Sequence, residues 1–310
     1  MDEFEAVRTL RRDLPEITPA ARDAARHAFM NAAQAPGSRP RPKLRWRPAL
    51  AAMLAVLAGT GVVMTRGQPE TTPVAGVVEL GERAARAAED TPVPEARAGQ
   101  WLYIKQRQAA ISDPEGVGVD PGRFEDWEQW ASVDGQRTAW YTDGRLLEQG
   151  TFPGLSADRL DAEPVTPQSL LQRISAALPD LQVTSGPPPS KDELRFKAIY
   201  QLMGEQQLPA RVRAALFRAL PMIPGVTVTQ NAADAAGRHG VAFSHSSRDL
   251  RYDLILSPDD YRFLGTYGVT TADRTWDLGQ EGKRLVKAGT PLTWTAQLET
   301  RLVDHAGDRP

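Results

Sequence analysis

Eighteen consecutive residues without a charge, Pro48 to Thr65, constrain this chain more than any other feature in it. As a helix rising about 1.5 Å per residue, such a run is ~27 Å long, close to the ~30 Å hydrocarbon thickness of a bilayer. Its apolar character comes mainly from Leu50, Met53, Leu54, Val56, Leu57, Val62 and Val63, with alanine and glycine between them. Arg39, Arg41, Lys43, Arg45 and Arg47 stand on its N-terminal side only. That asymmetry places the N-terminus in the cytoplasm and sends everything after Arg66 outward. The expected organisation is a cytoplasmic helical segment (1–47), a transmembrane helix (48–65), an extracytoplasmic linker with a short helix (66–99) and an extracytoplasmic domain (100–310). A buried core helix would have to hide an apolar surface on every side. A cleaved signal peptide is the other alternative, although the 47-residue leader far exceeds an ordinary n-region. The chain is therefore expected in the cell membrane as a single-pass protein whose span doubles as a signal anchor.

Charge divides along the same boundary. Residues 1–47 carry ten Lys and Arg against six Asp and Glu, and the remainder carries 27 against 33. A mildly acidic outer part has no footprint for nucleic acid. The absence of cysteine removes disulfides, lipid attachment at a cysteine, thiolate zinc sites and iron–sulfur clusters. Within 1–47, Phe4, Val7, Leu10 and Leu14 recur at helical spacing up to Pro15, and Thr18-Pro19 opens a second helix through Ala21, Ala25, Ala28 and Phe29. These helices hold too few large apolar residues for a core of their own. They read as a tail that positions the anchor, or as a segment that folds on a cytoplasmic signalling partner. The basic run at 39–47 suits anionic lipid headgroups. Ala51, Ala55 and Gly59 form a small-residue stripe compatible with homo-oligomers, a pattern that alanine-rich helices also produce by chance.

The outer part alternates strands and helices. Val74 to Glu89 predicts a short helix, and Trp101 to Gln106 a strand. Asp134-Gly135 and Asp143-Gly144 predict hairpin turns joining strands at Trp127–Val133, Arg137–Thr142 and Arg145–Gln149. Helices are expected from Gln168 to Leu178, from a Ser190/Glu193 capping box to Glu205, and from Pro209 to Pro221. Strands resume at Val226–Thr229, Val241–Ser244, Tyr252–Leu256 and Tyr261–Thr266. In the last strand Leu292, Trp294, Ala296, Leu298 and Leu302 alternate with polar residues, predicting one apolar and one wet face. The fold class expected is α+β: the transmembrane helix followed by a curved antiparallel sheet covered on one face by helices.

Chemistry is sparse in this pattern. Ser244-His245-Ser246 with Asp249 suggests a hydrolase triad, but neighbours on a strand point to opposite faces, and the cluster reads as a solvated turn. Asp253, Asp259 and Asp260 lack the spacing of a calcium loop and read as turn formers. Asp113 to Gly122 reads as a polar, mobile loop without phosphate-loop residues. No catalytic residue, metal site or cofactor is assigned, and the chain is expected not to be an enzyme. One candidate binding surface remains, a ligand face built from Trp101, Trp127, Trp130, Trp140 and Trp294.

Val7 to Pro15, the uncharged run, Gly99 to Ile104, Ile223 to Val226 and the closing strand together resemble an uncharacterised actinobacterial family of single-pass membrane proteins with an extracytoplasmic domain. Members of that family often accompany extracytoplasmic-function sigma factors, and the resemblance implies a signalling role. Gly237 to Phe243, Asp253 to Pro258 and Tyr261 to Gly265 are similar to the half-barrel group of lipoprotein carriers and envelope-stress sensors. That similarity implies an open curved sheet that holds an acyl chain or a peptide. The expected function is a membrane-anchored extracytoplasmic sensor or scaffold coupled to envelope signalling. The alternative is a tethered carrier or chaperone with a lipid-like or polypeptide ligand on the aromatic face.

Overall fold

A computed structural model describes residues 71–310 apart from 73, 92, 113–116, 151–154, 179–188 and 278–281. All of them fall in the second of two units, Val63–Pro310. In chain order the elements are β1 (Thr71–Thr72), α1 (Val74–Asp90), β2 (Trp101–Ile111), β3 (Val119–Ser132), β4 (Arg137–Thr142) and β5 (Arg145–Gly150). Four helices follow: α2 (Ala157–Asp161), α3 (Pro167–Ala177), α4 (Lys191–Glu205) and α5 (Ala210–Ala219). The chain then returns to strands with β6 (Val226–Ala233), β7 (His239–Ser247), β8 (Leu250–Leu256), β9 (Phe263–Thr270), β10 (Arg274–Asp277), β11 (Lys283–Val286) and β12 (Pro291–Val303). Ten strands form one antiparallel sheet in the order β1-β6-β7-β8-β9-β12-β2-β3-β4-β5, and β10 pairs with β11 separately.

β12 is the seam of the sheet. Its first residues pair with β9, and Thr295 to Val303 pair with β2. On the β6–β8 side, α1 and α3–α5 cover one face. Phe243, Leu254, Leu256, Val226 and Val228 meet Phe196, Ile199, Leu202, Val212 and Leu216 there, all buried. Helix α1 faces this core through Val77, Ala84, Ala85 and Ala88, and the missing side chain of Gly81 lets it approach α5, since a Cβ would stand 3.0 Å from the Phe217 carbonyl oxygen. Caps fix the starts. Thr166 and Ser169 bond reciprocally at α3, with Pro167 in its first turn. At α4, Ser190 accepts from the Glu193 N–H, but the Glu193 carboxylate is buried and takes Lys197 Nζ at 2.9 Å instead of closing the expected box.

The other face of this half is closed by the sheet itself. The β6–β7 tip reaches past β8 and β9 to β12: Ala235 N–H donates to the Thr295 carbonyl at 3.2 Å, and Trp294 Nε1 donates to the Ala233 carbonyl at 2.9 Å. Asp234, fully buried, accepts from the Ala236 and Arg238 N–H groups and from Arg238 Nε at 2.7 Å. Arg238 Nη2 in turn donates to the carbonyls of Leu264 (3.1 Å) and Gln297 (2.7 Å). The curl encloses Ala232, Ala242, Ile255 and Leu264. The β2–β4 half is built differently. Trp101, Tyr103, Trp130, Ala139 and Val303 cluster beneath the C-terminal residues, where Trp130 Nε1 donates to the Asp308 carbonyl at 2.6 Å and Arg309 pairs with Glu128.

The fold class expected from the sequence is corrected here. The described domain is dominated by one ten-stranded sheet, and its helices cover only the β6–β9 part of one face. Among the described residues no helix is long and apolar enough to cross a membrane, which runs against the transmembrane, single-pass and signal-anchor description. The segment that carried it, including Leu50, Leu54, Leu57, Val62 and Val63, the basic cluster Arg39 to Arg47 and the two helices before it, lies outside the described residues. Smaller corrections have local causes. β3 begins at Val119, inside the stretch expected as a loop, because Val119 pairs with Ile111 across a bulge. The regular alternation expected of β12 fails at a second bulge between Gln297 and Glu299, which leaves Leu298 36% exposed.

Closure requires glycine at one strand contact, where a Cβ on Gly265 would stand 2.1 Å from the Thr295 carbonyl oxygen. Gly265→Ala is expected to lose about 3 kcal/mol or more in urea unfolding, at the upper end of overpacking costs. Gly99→Ala, at an open position whose φ of 87° costs only local strain, is expected to lose about 1 kcal/mol.

Candidate ligand-binding cleft

Helix α5 carries three arginines with different surroundings. Arg211 pairs with Asp161 and Glu163, and Arg218 pairs with Glu82 and Glu89 on α1. Arg213 has no carboxylate partner. Its Nη2 donates to the carbonyls of Ala88 (3.1 Å) and Thr91 (2.8 Å) at the C-terminal end of α1, where the helix dipole favours a cation. Its Nε is buried without a hydrogen-bond partner. Burial lowers the pKa of this guanidinium from its ordinary value, with no neighbouring charge acting against it.

Arg213 stands in the wall of a cleft of about 640 Å³. One side is the end of α1 and the chain after it (Ala87, Ala88, Thr91, Val93). The ends of α4 and α5 supply Met203, Gly204, Gln206, Leu208 and Phe217. Asp260 to Phe263 and the bulged part of β12, Gln297 to Arg301, complete the wall. The bulge that breaks the alternation of β12 puts Leu298 in this lining. Gln297 Nε2 donates to the Gly204 carbonyl at 2.8 Å and ties β12 to the end of α4. Gln206 Nε2 donates to the Leu155 carbonyl at 2.7 Å, while its Oε1 is buried with no partner. A buried donor and a buried acceptor thus go unmatched in one cleft, each costing about 1–3 kcal/mol if left so. Four arginines line it against two carboxylates, and those two are paired: Asp260 with Arg262 at 3.3 Å, Glu299 with Arg301 at 3.7 Å.

Five tryptophans were expected on one ligand face. Register places Trp101, Trp130 and Trp294 on the same face of the sheet and Trp127 and Trp140 on the opposite one. They do not form a single surface. Trp101 and Trp130 are buried under the C-terminal residues, with Arg137 over the Trp101 ring at 4.9 Å. Trp294 packs edge-on between Phe124 and Tyr267, both 5.6 Å away. Trp127 lines a separate hollow of about 270 Å³ with Lys105, Asp126, Glu128 and Tyr141.

The serine–histidine cluster and Asp253 are corrected. Ser244 and His245 are not in a solvated turn but buried on β7, and Asp253 is buried on β8 opposite Ser244. Ser244 Oγ lies 2.6 Å from Thr229 Oγ1 and bonds Asp253, whose carboxyl is pushed up by burial against the pull of Arg251 at 3.2 Å. His245 points to the other face, stacked on Phe196 with ring centroids 5.5 Å apart. Burial lowers its pKa against the raising effect of Glu193 and Asp192. Serine and histidine therefore never meet. Among the described residues no group of three or more His, Asp or Glu is arranged to hold a metal. The chain matches no family model, no curated protein and no solved structure.

Arg213, Gln206 and Leu298 did not stand out in the sequence. Arg213 is one of three arginines on α5, and the positions of distant carboxylates separate it from Arg211 and Arg218.

Glu205, between the cleft residues Gly204 and Gln206, has its pKa raised from 4.5 to about 7 by burial, against hydrogen bonds from Gln201 and Gln129 that favour the charged form. A carboxyl raised in the folded state stabilises it below the ordinary value, and that stability is lost as pH rises toward the folded value. Unfolding free energy measured by urea titration is expected to fall between about pH 4.5 and 7, and Glu205→Gln is expected to flatten that slope.

Proposed function

We propose that the described domain is a non-catalytic binding module, a carrier or sensor that holds one small amphipathic molecule in the cleft between α1, the ends of α4 and α5, and β12. The observation that carries this reading is a cleft in which apolar side chains stand beside two buried polar atoms that lack partners. Pockets for small ligands commonly measure ~300–1,000 Å³, mostly apolar with a few placed polar groups. The cleft of about 640 Å³ falls in that size range, and Leu102, Met203, Leu208, Phe217, Phe263 and Leu298 form the apolar part of a lining that is otherwise polar or charged. The non-catalytic part is supported by the pairing of both lining carboxylates with arginines, which leaves neither poised as a base.

This differs from the aromatic sheet face expected as a ligand surface. Inside the curl that face is filled by the domain's own side chains, Ala232, Ala242, Ile255 and Leu264, with Tyr267 packed against them. The binding role is thus proposed at the junction of helices and seam strand, not on the face of the sheet.

Nile red, an uncharged dye that brightens in apolar surroundings, is expected to bind saturably with one site per chain. Leu298→Trp, at a 36% exposed position whose added bulk points into the cleft, is expected to weaken it at least tenfold with little change in the unfolding midpoint. Dye binding that is equal in the two proteins would remove the proposal.

A further inference from the structure

We infer that the ligand of this cleft is a monocarboxylate with an apolar body, its head group held by Arg213. The inference rests on the cleft being a binding site and names what that site selects.

Three observations lead to it. Arg213 is the lining arginine whose shift in basicity comes from burial with no counter-charge, whereas Arg238 is held by Asp234 at 2.6 Å, Arg262 by Asp260 and Arg301 by Glu299. A guanidinium desolvated in this way is stabilised by any anion that reaches it, and charge-assisted bonds are roughly twice as strong as neutral ones. Its position is fixed from behind: Nη2 is committed to the Ala88 and Thr91 carbonyls, so the side chain is held against the end of α1 while Nε has no partner. One unpaired cation matches one negative charge. Leu102, Met203, Leu208, Phe217, Phe263 and Leu298 give the otherwise polar lining an apolar part, against which a hydrocarbon body can lie. Gln206 Oε1, an unmatched acceptor, accepts from a water carried in with the ligand, since a carboxylate on a hydrocarbon body brings no polar hydrogen of its own.

A phosphate monoester carries up to two charges and finds only one unpaired guanidinium. An alcohol leaves the guanidinium uncompensated. A quaternary amine places like charges together. Ranking these four head groups on one chain length is therefore diagnostic.

Isothermal titration of the purified protein with dodecanoate, dodecyl phosphate, dodecanol and dodecyltrimethylammonium is expected to show dodecanoate binding one per chain. It should bind at least tenfold more tightly than dodecanol and more tightly than dodecyl phosphate, with the cation weakest. Arg213→Gln is expected to erase the difference between dodecanoate and dodecanol while leaving dodecanol binding in place. Because Arg213 also caps α1, Leu298→Glu serves as a second variant that leaves this cap untouched. It is expected to weaken dodecanoate more than tenfold and dodecanol far less. Equal affinity of dodecanoate and dodecanol in the unaltered protein overturns the head-group inference and leaves the cleft reading standing. Tighter binding of dodecyl phosphate transfers the site to phosphate ligands and overturns the carboxylate. No binding by any of the four overturns both.

Discussion

The fold depends on how one buried carboxylate is satisfied. Asp234 is fully removed from solvent, and an unpaired charge there would be prohibitive. It is answered by two backbone N–H groups of its own turn and by the Arg238 guanidinium. Those bonds do two jobs at once. They fix the β6–β7 tip, and they aim Arg238 Nη2 at the carbonyls of β9 and β12. A ten-stranded sheet has edges that must be closed, covered or blunted, and this clamp bends the β6–β9 half onto the seam strand. Apolar residues on the helix-free face are then buried without a second layer. Arg238 also reaches the cleft lining, so closure of the sheet and shape of the site are set by the same pair.

Local structure was largely legible in the sequence. Asp143-Gly144 turns with both residues at positive φ, as an Asp-Gly hairpin requires, and β4 runs over Arg137–Thr142 with the bounds expected. Thr166-Pro167 opens α3, and Ser190 caps α4. These features are decided within four residues of chain. Long-range features were not legible. Nothing near Leu298 announces a bulge, since its alternation with polar neighbours is regular, and the shift shows only in the pairing of β12 with the distant β2. Ser244 and Asp253 look like turn residues in a polar stretch, yet β6 and β9 enclose them.

The cleft illustrates the same limit. Tryptophans are the conspicuous large rings of this sequence, but three of them are consumed in packing: Trp130 and Trp101 under the C-terminal residues, Trp294 between Phe124 and Tyr267. In the cleft, the residues left with unspent bonding capacity are ordinary ones, an arginine on a helix that carries two others and a glutamine after a helix. What distinguishes them is which partners the fold withheld.

The lining of the cleft runs from Ala87 on the first helix to Arg301 on the last strand. No contiguous fragment contains it, and it exists only once both extremes of the domain have come together. Occupancy is thus bound to the integrity of the whole domain, and a saturating guest shifts the melting equilibrium by RT ln(1 + [L]/Kd). A molecule that bound there would therefore be felt at both ends of the domain, because unfolding either one dismantles the cleft.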